Sequence, residues 1–583
     1  MNDTPRPSRL PAKPNFLVLL VDEERYPPIY ENPEIRDWRR QNLIAQELLR
    51  PHSAEFHRHY IGSTACCPSR ATLFTGQYPS LHGVSQTVGI AKQSFDSDMY
   101  WLNRNTVPTM GDYFRAAGYQ TYYKGKWHIS NADIVTPGTH NSVPSYHPLT
   151  GVPDPELERL YARANPLNDY GFADWIGPDP IGESPRNSAS SAAFGLSGRD
   201  VVYGAEVVEL IETLDRRQSQ GMNTEPWLIV SSFVNPHDIV LYGDLTARLP
   251  NFFKFEVEPM PAVAPPPTRH EALHTKPRCQ ASYRDLYPVA LQPISDEPFY
   301  RQLYYQLQKN ADQQMRLALE ALIRSSFYDD TIVIFTSDHG DLLGAHGNLH
   351  QKWYCAYEEF LHVPLLIHNR HLFPQHREVH KLTSHVDLLP TMLGLANIDM
   401  AEVRSSMQNR FSEARPPVGR NLAPLIREPE PAIAEEPIYF MTDDDVTRGQ
   451  RQVNLWGRPY PSVVQPNHIE TVLVTLHRND KEELWKFSRY FDNSQFWTDP
   501  GVRDVTAHPA GGDHADKCVT YTKTQPVPDE YELYNLTDDP METRNLTYHA
   551  WATEETRGIQ TWMMRLLEEQ RKRKRLYPSR VGI

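Results

Sequence analysis

The chain is 583 residues long, enough for a sizeable core carrying insertions, and its 59 Lys and Arg stand against 73 Asp and Glu, a formal net charge of −14. That acidic balance excludes a general nucleic-acid binder, whose electrostatic footprint is basic. The five cysteines, Cys66, Cys67, Cys279, Cys355 and Cys518, lack paired spacing, which excludes a disulfide framework or a structural zinc motif and fits a reducing compartment.

Met1 to Lys13 is polar and proline-rich, and the first apolar run, Phe16 to Val21, is six residues long. That is too short for a signal-peptide core or a membrane span, so a soluble, cytoplasmic protein without a membrane partner is expected unless a leader has been removed. The run, FLVLLV, ends in Asp22-Glu23. An unbroken apolar run reads as a buried strand of a parallel sheet, and ligands of open α/β sheets gather beyond the carboxyl ends of the strands.

The same pattern recurs along the chain. Tyr119 to Tyr123 reads as a strand leading to Gly125-Lys126-Trp127-His128, and Trp227 to Phe233, WLIVSSF, leads to Asn235-Pro236-His237. Glu297 to Arg324 has few breakers and an apolar rhythm, predicting a helix, and the strand Thr331 to Phe335 follows it and runs into Thr336-Ser337-Asp338-His339-Gly340. Four strands thus deliver polar groups at one end of one sheet, as a single crevice requires.

Residues 132 to 200 and 258 to 298 are rich in proline and turn formers and predict surface excursions with little regular structure, placed where they would shape substrate access. Residues 413 to 437 read as a connector, Thr471 to Leu476 as a strand, and Ala550 to Arg575 as a terminal helix. The closing run Arg571-Lys572-Arg573-Lys574-Arg575 suits a helix C-terminus and reads as solvated rather than as an anion site. The division expected is a catalytic domain, residues 1–425, and a C-terminal subdomain, residues 426–583.

Between the first two strands lies Thr64 to Val84, TACCPSRATLFTGQYPSLHGV, with Cys66, Pro68 and Arg70 spaced C-x-P-x-R. This stretch resembles the signature of the type I sulfatases, in which the first cysteine of C-x-P-S-R becomes Cα-formylglycine. Cys66 fits that position, whereas Cys67 stands one residue too close to the proline. The resemblance continues in order through Gly125 to His128, Asn235 to His237, Thr336 to Gly340, Lys352, the helix beginning Leu388-Leu389-Pro390-Thr391, and Glu532-Leu533-Tyr534-Asn535-Leu536. It implies an α/β fold, an alkaline-phosphatase-like, mostly parallel central sheet flanked by helices, with a smaller C-terminal α+β subdomain.

The resemblance also implies a chemistry. A formylglycine hydrate offers one hydroxyl to attack sulfur and a second whose deprotonation expels sulfate, splitting one hard step into two. A separate formylglycine-generating enzyme is then a partner, and the substrate is a small-molecule sulfate ester. The implied metal ligands are Asp22, the modified Cys66, Asp338 and His339. Many members of the family carry Asp-Asp and Asp-Asn where this chain has Asp22-Glu23 and Asp338-His339; choline sulfatases and phosphonate monoester hydrolases share Asp-His. Calcium is the first candidate ion, with manganese or magnesium open.

By motif position, Arg70 holds the nucleophile and the metal ligands, Lys126 and Lys352 bind sulfate oxygens, His128 is the base for the second hydroxyl, and His237, with Lys352 as the other candidate, protonates the leaving oxygen. Two further readings stay open on the sequence: a phosphonate monoester or phosphodiester hydrolase on the same site, and a non-catalytic binding protein in which Cys66 remains a thiol.

Overall fold

Asn15–Asp22 (β1) is a strand buried along its whole length, and its alternation explains why the sequence there has no polar face. Phe16, Val18 and Leu20 enter one core with Leu228, Val230, Ile332 and Ile334, while Leu17, Leu19 and Val21 enter a second core with Ile229, Phe233, Val333 and Phe335. A strand whose side chains alternate between two covered faces must be apolar at every position. The computed structural model describes residues 10–574 apart from residues 148–149, 181–197, 223–224, 251–252, 254, 429–434, 455, 479, 497–502, 508–517 and 523–524.

The main sheet adds β2 (Ser53–Phe56), β3 (Gln120–Gly125), β4 (Trp227–Pro236), β5 (Thr331–Ser337), β6 (Leu365–His368) and β7 (Arg377–Val379), in the order β3-β4-β1-β5-β6-β2-β7. Only β6 runs antiparallel to its neighbours. The four strands expected from the sequence are adjacent, so their polar C-terminal ends lie side by side.

The helices used below are α1 (Cys66–Thr75), α2 (Pro155–Ala164), α3 (Arg199–Ser219), α4 (Arg278–Ala290), α5 (Glu297–Arg324), α6 (Leu388–Leu395) and α7 (Glu554–Arg573). Helices α3 and α5 cover one face through Val207, Ile211, Leu214, Met315, Leu319 and Leu322. Helices α1 and α6 cover the other through Leu73, Phe74, Leu389 and Met392. The bounds of α5 coincide with the expected helix, with Asp296 accepting the Phe299 N–H as its cap.

Two excursions are more regular than their proline content suggests. Within residues 132–200, α2 starts on the Asp154 cap with Pro155 in its first turn and stops at Asn165 in the left-handed region, a complete set of start and stop signals. Residues 181–197 of that stretch lie outside the described residues. Within residues 258–298, α4 buries Cys279, Tyr283, Leu286, Tyr287 and Ala290, and this helical spacing outweighs the surrounding prolines. The connector holds a short helix, Ala423–Arg427, and its residues 429–434 are outside the described set.

The C-terminal antiparallel sheet runs β8 (Ile438–Thr442), β9 (His468–Arg478), β10 (Lys481–Phe491) and β11 (Glu530–Asn535) in sequence order. The expected strand Thr471 to Leu476 is the middle of β9. Met563 and Leu567 of α7 pack on Val472, Phe487 and Leu533. The basic run at the end of α7 is less solvated than its composition implies. Arg571 Nε donates to Glu470 Oε1 at 2.8 Å, Arg573 to Glu436 at 2.7 Å, and Lys574 to the Val418 carbonyl at 3.1 Å. Lys572, paired with Glu568 one turn back, and Arg573 keep the expected exposed position. Arg575 lies outside the described residues.

A buried charge network joins this sheet to the main one. Lys486 of β10 lies between Glu542 at 2.5 Å and Glu358 at 3.0 Å, and His346 between Glu271 at 3.2 Å and Glu359 at 3.1 Å. Burial opposes charge on His346, but Glu359 and Glu271 outweigh it and push its pKa up to about 9. Burial likewise opposes charge on Glu359, yet His346 holds it down to about 2. The histidine's contribution to stability is therefore complete below its unfolded value and lost as pH rises through its folded value; the glutamate's is lost only as pH falls through its own. The thermal midpoint is expected to fall between neutral pH and the high nines, and less steeply in His346→Asn, which tolerates the left-handed φ of 47°. Equal alkaline slopes in a scan of both proteins would assign the loss to other groups.

Candidate active site and metal centre

Cys66 begins α1 and is buried at the C-terminal ends of β1 and β5. Its Sγ lies 3.6 Å from Asp22 Oδ1 and 3.1 Å from His339 Nε2. Cys67, next in the helix, turns the other way into the core beside Ala71 and Val88. Burial and the neighbouring Asp22 push the Cys66 thiol well up, and burial pushes Cys67 up to about 12.

Asp22, Cys66, Asp338 and His339 offer one donor atom each, all within 4.8 Å of one another. Arg70 orders them: its Nε donates to Asp338 Oδ2 at 2.7 Å, Nη2 to Asp22 Oδ2 at 3.0 Å, and Nη1 to the Lys126 carbonyl and Ser232 Oγ, both at 2.8 Å. The five N–H groups of a guanidinium make such a fixed brace, which a lysine cannot supply. Lys126 Nζ lies 2.6 Å from Asp22 Oδ2. Burial raises the cost of charge on both carboxylates; Lys126 and Arg70 hold Asp22 well below the usual range, while Asp338, facing the charge of Asp22, is pushed up to about 7.

His339 Nδ1 meets the Gly340 carbonyl at 3.0 Å. A carbonyl only accepts, so Nδ1 carries the proton and the Nε2 lone pair faces the carboxylates, the orientation a metal-ligating histidine requires. Burial and Lys352 hold this imidazole well below its ordinary pKa. Two opposed carboxylates, an inward lone pair and the atom at position 66 therefore form a donor set that fits a divalent cation.

Glu23, whose role the sequence left unread, occupies a left-handed φ of 77°. Its N–H donates to Asp338 Oδ1 at 3.1 Å, and its carboxylate accepts from Lys352 Nζ at 2.7 Å. The unusual backbone turns its side chain to Lys352 while its amide steadies a metal-ligand candidate. Burial pushes the Lys352 ammonium down, but Cys66 and Glu23 outweigh that and hold it up. One donor of Lys352 is thus committed to Glu23, while Lys126 is ion-paired with Asp22 without a hydrogen bond, so both ammonium groups keep N–H donors for an oxyanion.

His128 and His237 are buried, and both ring nitrogens of His128 and Nδ1 of His237 have no hydrogen-bond partner. Burial, then Lys126, holds both rings well below the ordinary histidine pKa. The structure thus brings together every site residue expected from the sequence. It also adds residues the sequence did not reveal. Asp179 accepts the Trp127 and His128 N–H groups at 3.0 and 2.7 Å, and Asp200 of α3 accepts those of Val234 and Asn235 at 2.7 and 3.0 Å. These two carboxylates fix the backbones that carry His128 and His237. No local motif marks either of them.

The four cysteines with described side chains are free thiols, and among the described residues no helix is long and apolar enough to cross a membrane. The side chain of Cys518 lies outside the described residues.

A family model described as Sulfatase matches residues 14–398, a span that holds every residue of this site. The chain is 26% identical over 409 residues to the uncharacterized sulfatase YidJ of Escherichia coli (strain K12), covering 67% of this chain and 69% of that protein. It is 25% identical over 413 residues to the choline-sulfatase of Rhizobium meliloti (strain 1021), again covering 67% and 69%. In fold it is similar to the phosphonate monoester hydrolase of Agrobacterium radiobacter, with a TM-score of 0.56 and 18% identity over 96% of each chain.

Proposed function

The chain belongs to the sulfatase family and is a sulfuric ester hydrolase, and we propose that it cleaves sulfate monoesters with residue 66 as formylglycine and one divalent ion, calcium first among the candidates. The observation that carries this reading is the convergence of Asp22, Cys66, Asp338 and His339 in a buried cluster braced by Arg70. A bound ion there would lower the charge at the sulfuryl oxygens and at position 66. Oxidation of the Cys66 side chain to the aldehyde falls to a separate generating enzyme. The proposed home is the cytoplasm, in keeping with the free thiols.

The protein's own groups divide the remaining work. The spare N–H donors of Lys126 and Lys352 bind sulfate oxygens, where preorganised positive charge in a dry site is most effective. His128, buried, neutral and without a partner on either nitrogen, takes a proton. Lys352 is held charged by Glu23 and is a poor proton donor, so His237 is the better general acid. Burial and Lys126 hold His237 well below its ordinary range, and the negative charge of a bound sulfate ester acts in the opposite direction, favouring the protonated ring.

Two measurements test this. Protein with formylglycine content established by mass spectrometry is screened on sulfate, phosphonate and phosphodiester substrates; kcat/KM highest for a sulfate ester supports the reading, and highest for a phosphonate overturns it. His237→Ala is expected to lose about 10²–10⁴-fold on an alkyl sulfate, once sulfur attack is verified with labelled water, and far less on an aryl sulfate releasing an acidic phenol. Equal losses on both substrates, at equal metal occupancy, would assign His237 to positioning and return Lys352 as the acid.

A further inference from the structure

Strands β2 and β7, which close the sheet beyond β6, carry a second convergent donor set. Their parallel register pairs Glu55 with Glu378 and Phe56 with Val379. Phe56 and Val379 belong to the core, so Glu55 and Glu378 face outward. Pairing continues through the His57 N–H, which donates to the Val379 carbonyl at 2.9 Å, and places His57 and His380 on the outer face. The pattern responsible is Glu55-x-His57 beside His376-x-Glu378-x-His380.

His57 Nε2 lies 3.9 Å from Glu378 Oε1, and His380 Nε2 lies 3.5 Å from Glu378 Oε2. One donor atom from each of the three residues lies within 4.8 Å of the others, and the two imidazoles stack at 4.8 Å with 18° between planes, so the exposed His380 ring turns to bring its in-plane lone pair onto an ion held by His57 and Glu378. His57 Nε2 is buried without a hydrogen-bond partner. His57 Nδ1 meets Tyr26 Oη at 2.7 Å, and the Tyr26 ring is itself stacked on His362 at 4.0 Å. With Nδ1–H donated to the phenol oxygen, the Nε2 lone pair is free to bind a cation.

Charged residues on an edge strand also deter pairing with other sheets. A guard of that kind needs neither the convergence of three donors nor a braced histidine. Two imidazoles and one carboxylate with positions left open suit a borderline transition ion, whereas the three-oxygen, one-nitrogen set expected at the catalytic centre suits a harder one. Glu378 and His380 are exposed, so an ion reaches the three donors directly from solvent. The geometry points to a second metal site, formed by His57, Glu378 and His380, that binds zinc and clamps β7 to β2.

The test is titration of the holoenzyme with Co²⁺ and Zn²⁺. One equivalent of Co²⁺ beyond the catalytic ion is expected to give visible d–d absorption that zinc displaces, and zinc is expected to raise the thermal midpoint by mass action. His380→Ala removes an exposed side chain and is expected to weaken cobalt binding by more than about tenfold, since even loss of an outer partner typically costs 10–100-fold. Tyr26→Phe, which keeps the stacked ring, is expected to weaken it by about tenfold. His549→Ala, an exposed histidine elsewhere, is expected to change nothing. Saturable cobalt binding that survives both His380→Ala and His57→Ala, in variants with unchanged circular dichroism, overturns the proposal. So does the absence of a second equivalent in the unsubstituted protein.

Discussion

Cys66→Ala is expected to abolish turnover outright, while Cys67→Ala leaves most of it. The Cys66 side chain stands among Asp22, His339 and the two lysines Lys126 and Lys352. Cys67 contributes only a small buried group to the core beneath α1, so its truncation is expected to cost on the order of 1 kcal/mol of stability. Cys66→Ser separates the nucleophile's identity from mere volume, because it keeps a hydroxyl in place but cannot regenerate an aldehyde without a further oxidation. Peptide mass spectrometry together with hydrazide labelling reads the modification directly. A persistent thiol at Cys66 in fully active protein would sink the formylglycine mechanism.

Asp338→Asn is expected to empty the metal centre. It preserves shape but removes one of two carboxylate charges, and its amide must either turn N–H groups toward Arg70 Nε or toward the cation. Either arrangement opposes the cluster. Metal content by elemental analysis is expected to fall from one ion per active site to a small fraction. Turnover is expected to drop by at least about 10²-fold, because the charge stabilisation a metal supplies is worth several kcal/mol. Chelation of the unsubstituted protein should reproduce the loss, and readdition of calcium should reverse it only there. Undiminished metal in Asp338→Asn would remove Asp338 from the ligand set. A variant that fails to fold would show a collapsed thermal transition, so the comparison is made at matched folded fraction.

The parts of this architecture that were legible in the sequence share a physical cause. FLVLLV, WLIVSSF and TIVIF are buried on both faces, so their composition alone marks central strands, and the polar residues that follow each one must fall at the same edge. Helix α5 was legible at both ends because its cap, its long apolar rhythm and its terminal Arg324 agree with each other. The excursions were misread where proline and serine content was weighed above helical spacing, as in α2 and α4. The solvated reading of the α7 terminus failed for Arg571 because the carboxylate it meets, Glu470, comes from a distant strand.

By itself the sequence marked the candidates for chemistry: Asp22, Cys66, Arg70, Lys126, His128, His237, Asp338 and His339 each follow a strand end or a motif that is written locally, and Lys352 stands alone downstream, marked by family resemblance. Only the tertiary structure decided how they are held. Glu23 reaches Asp338 and Lys352 across more than three hundred residues of chain, and Arg70 reaches Asp338 across nearly as many. Asp179 and Asp200 accept backbone N–H groups that no side-chain pattern announces. Nor does any local signal place His57 opposite His380, since their meeting depends on the register of β2 with β7. Strand composition is set by what covers each face, which nearby residues encode; ligand geometry and electrostatic pairing are set by contacts between segments remote in sequence, which exist only once the chain has folded.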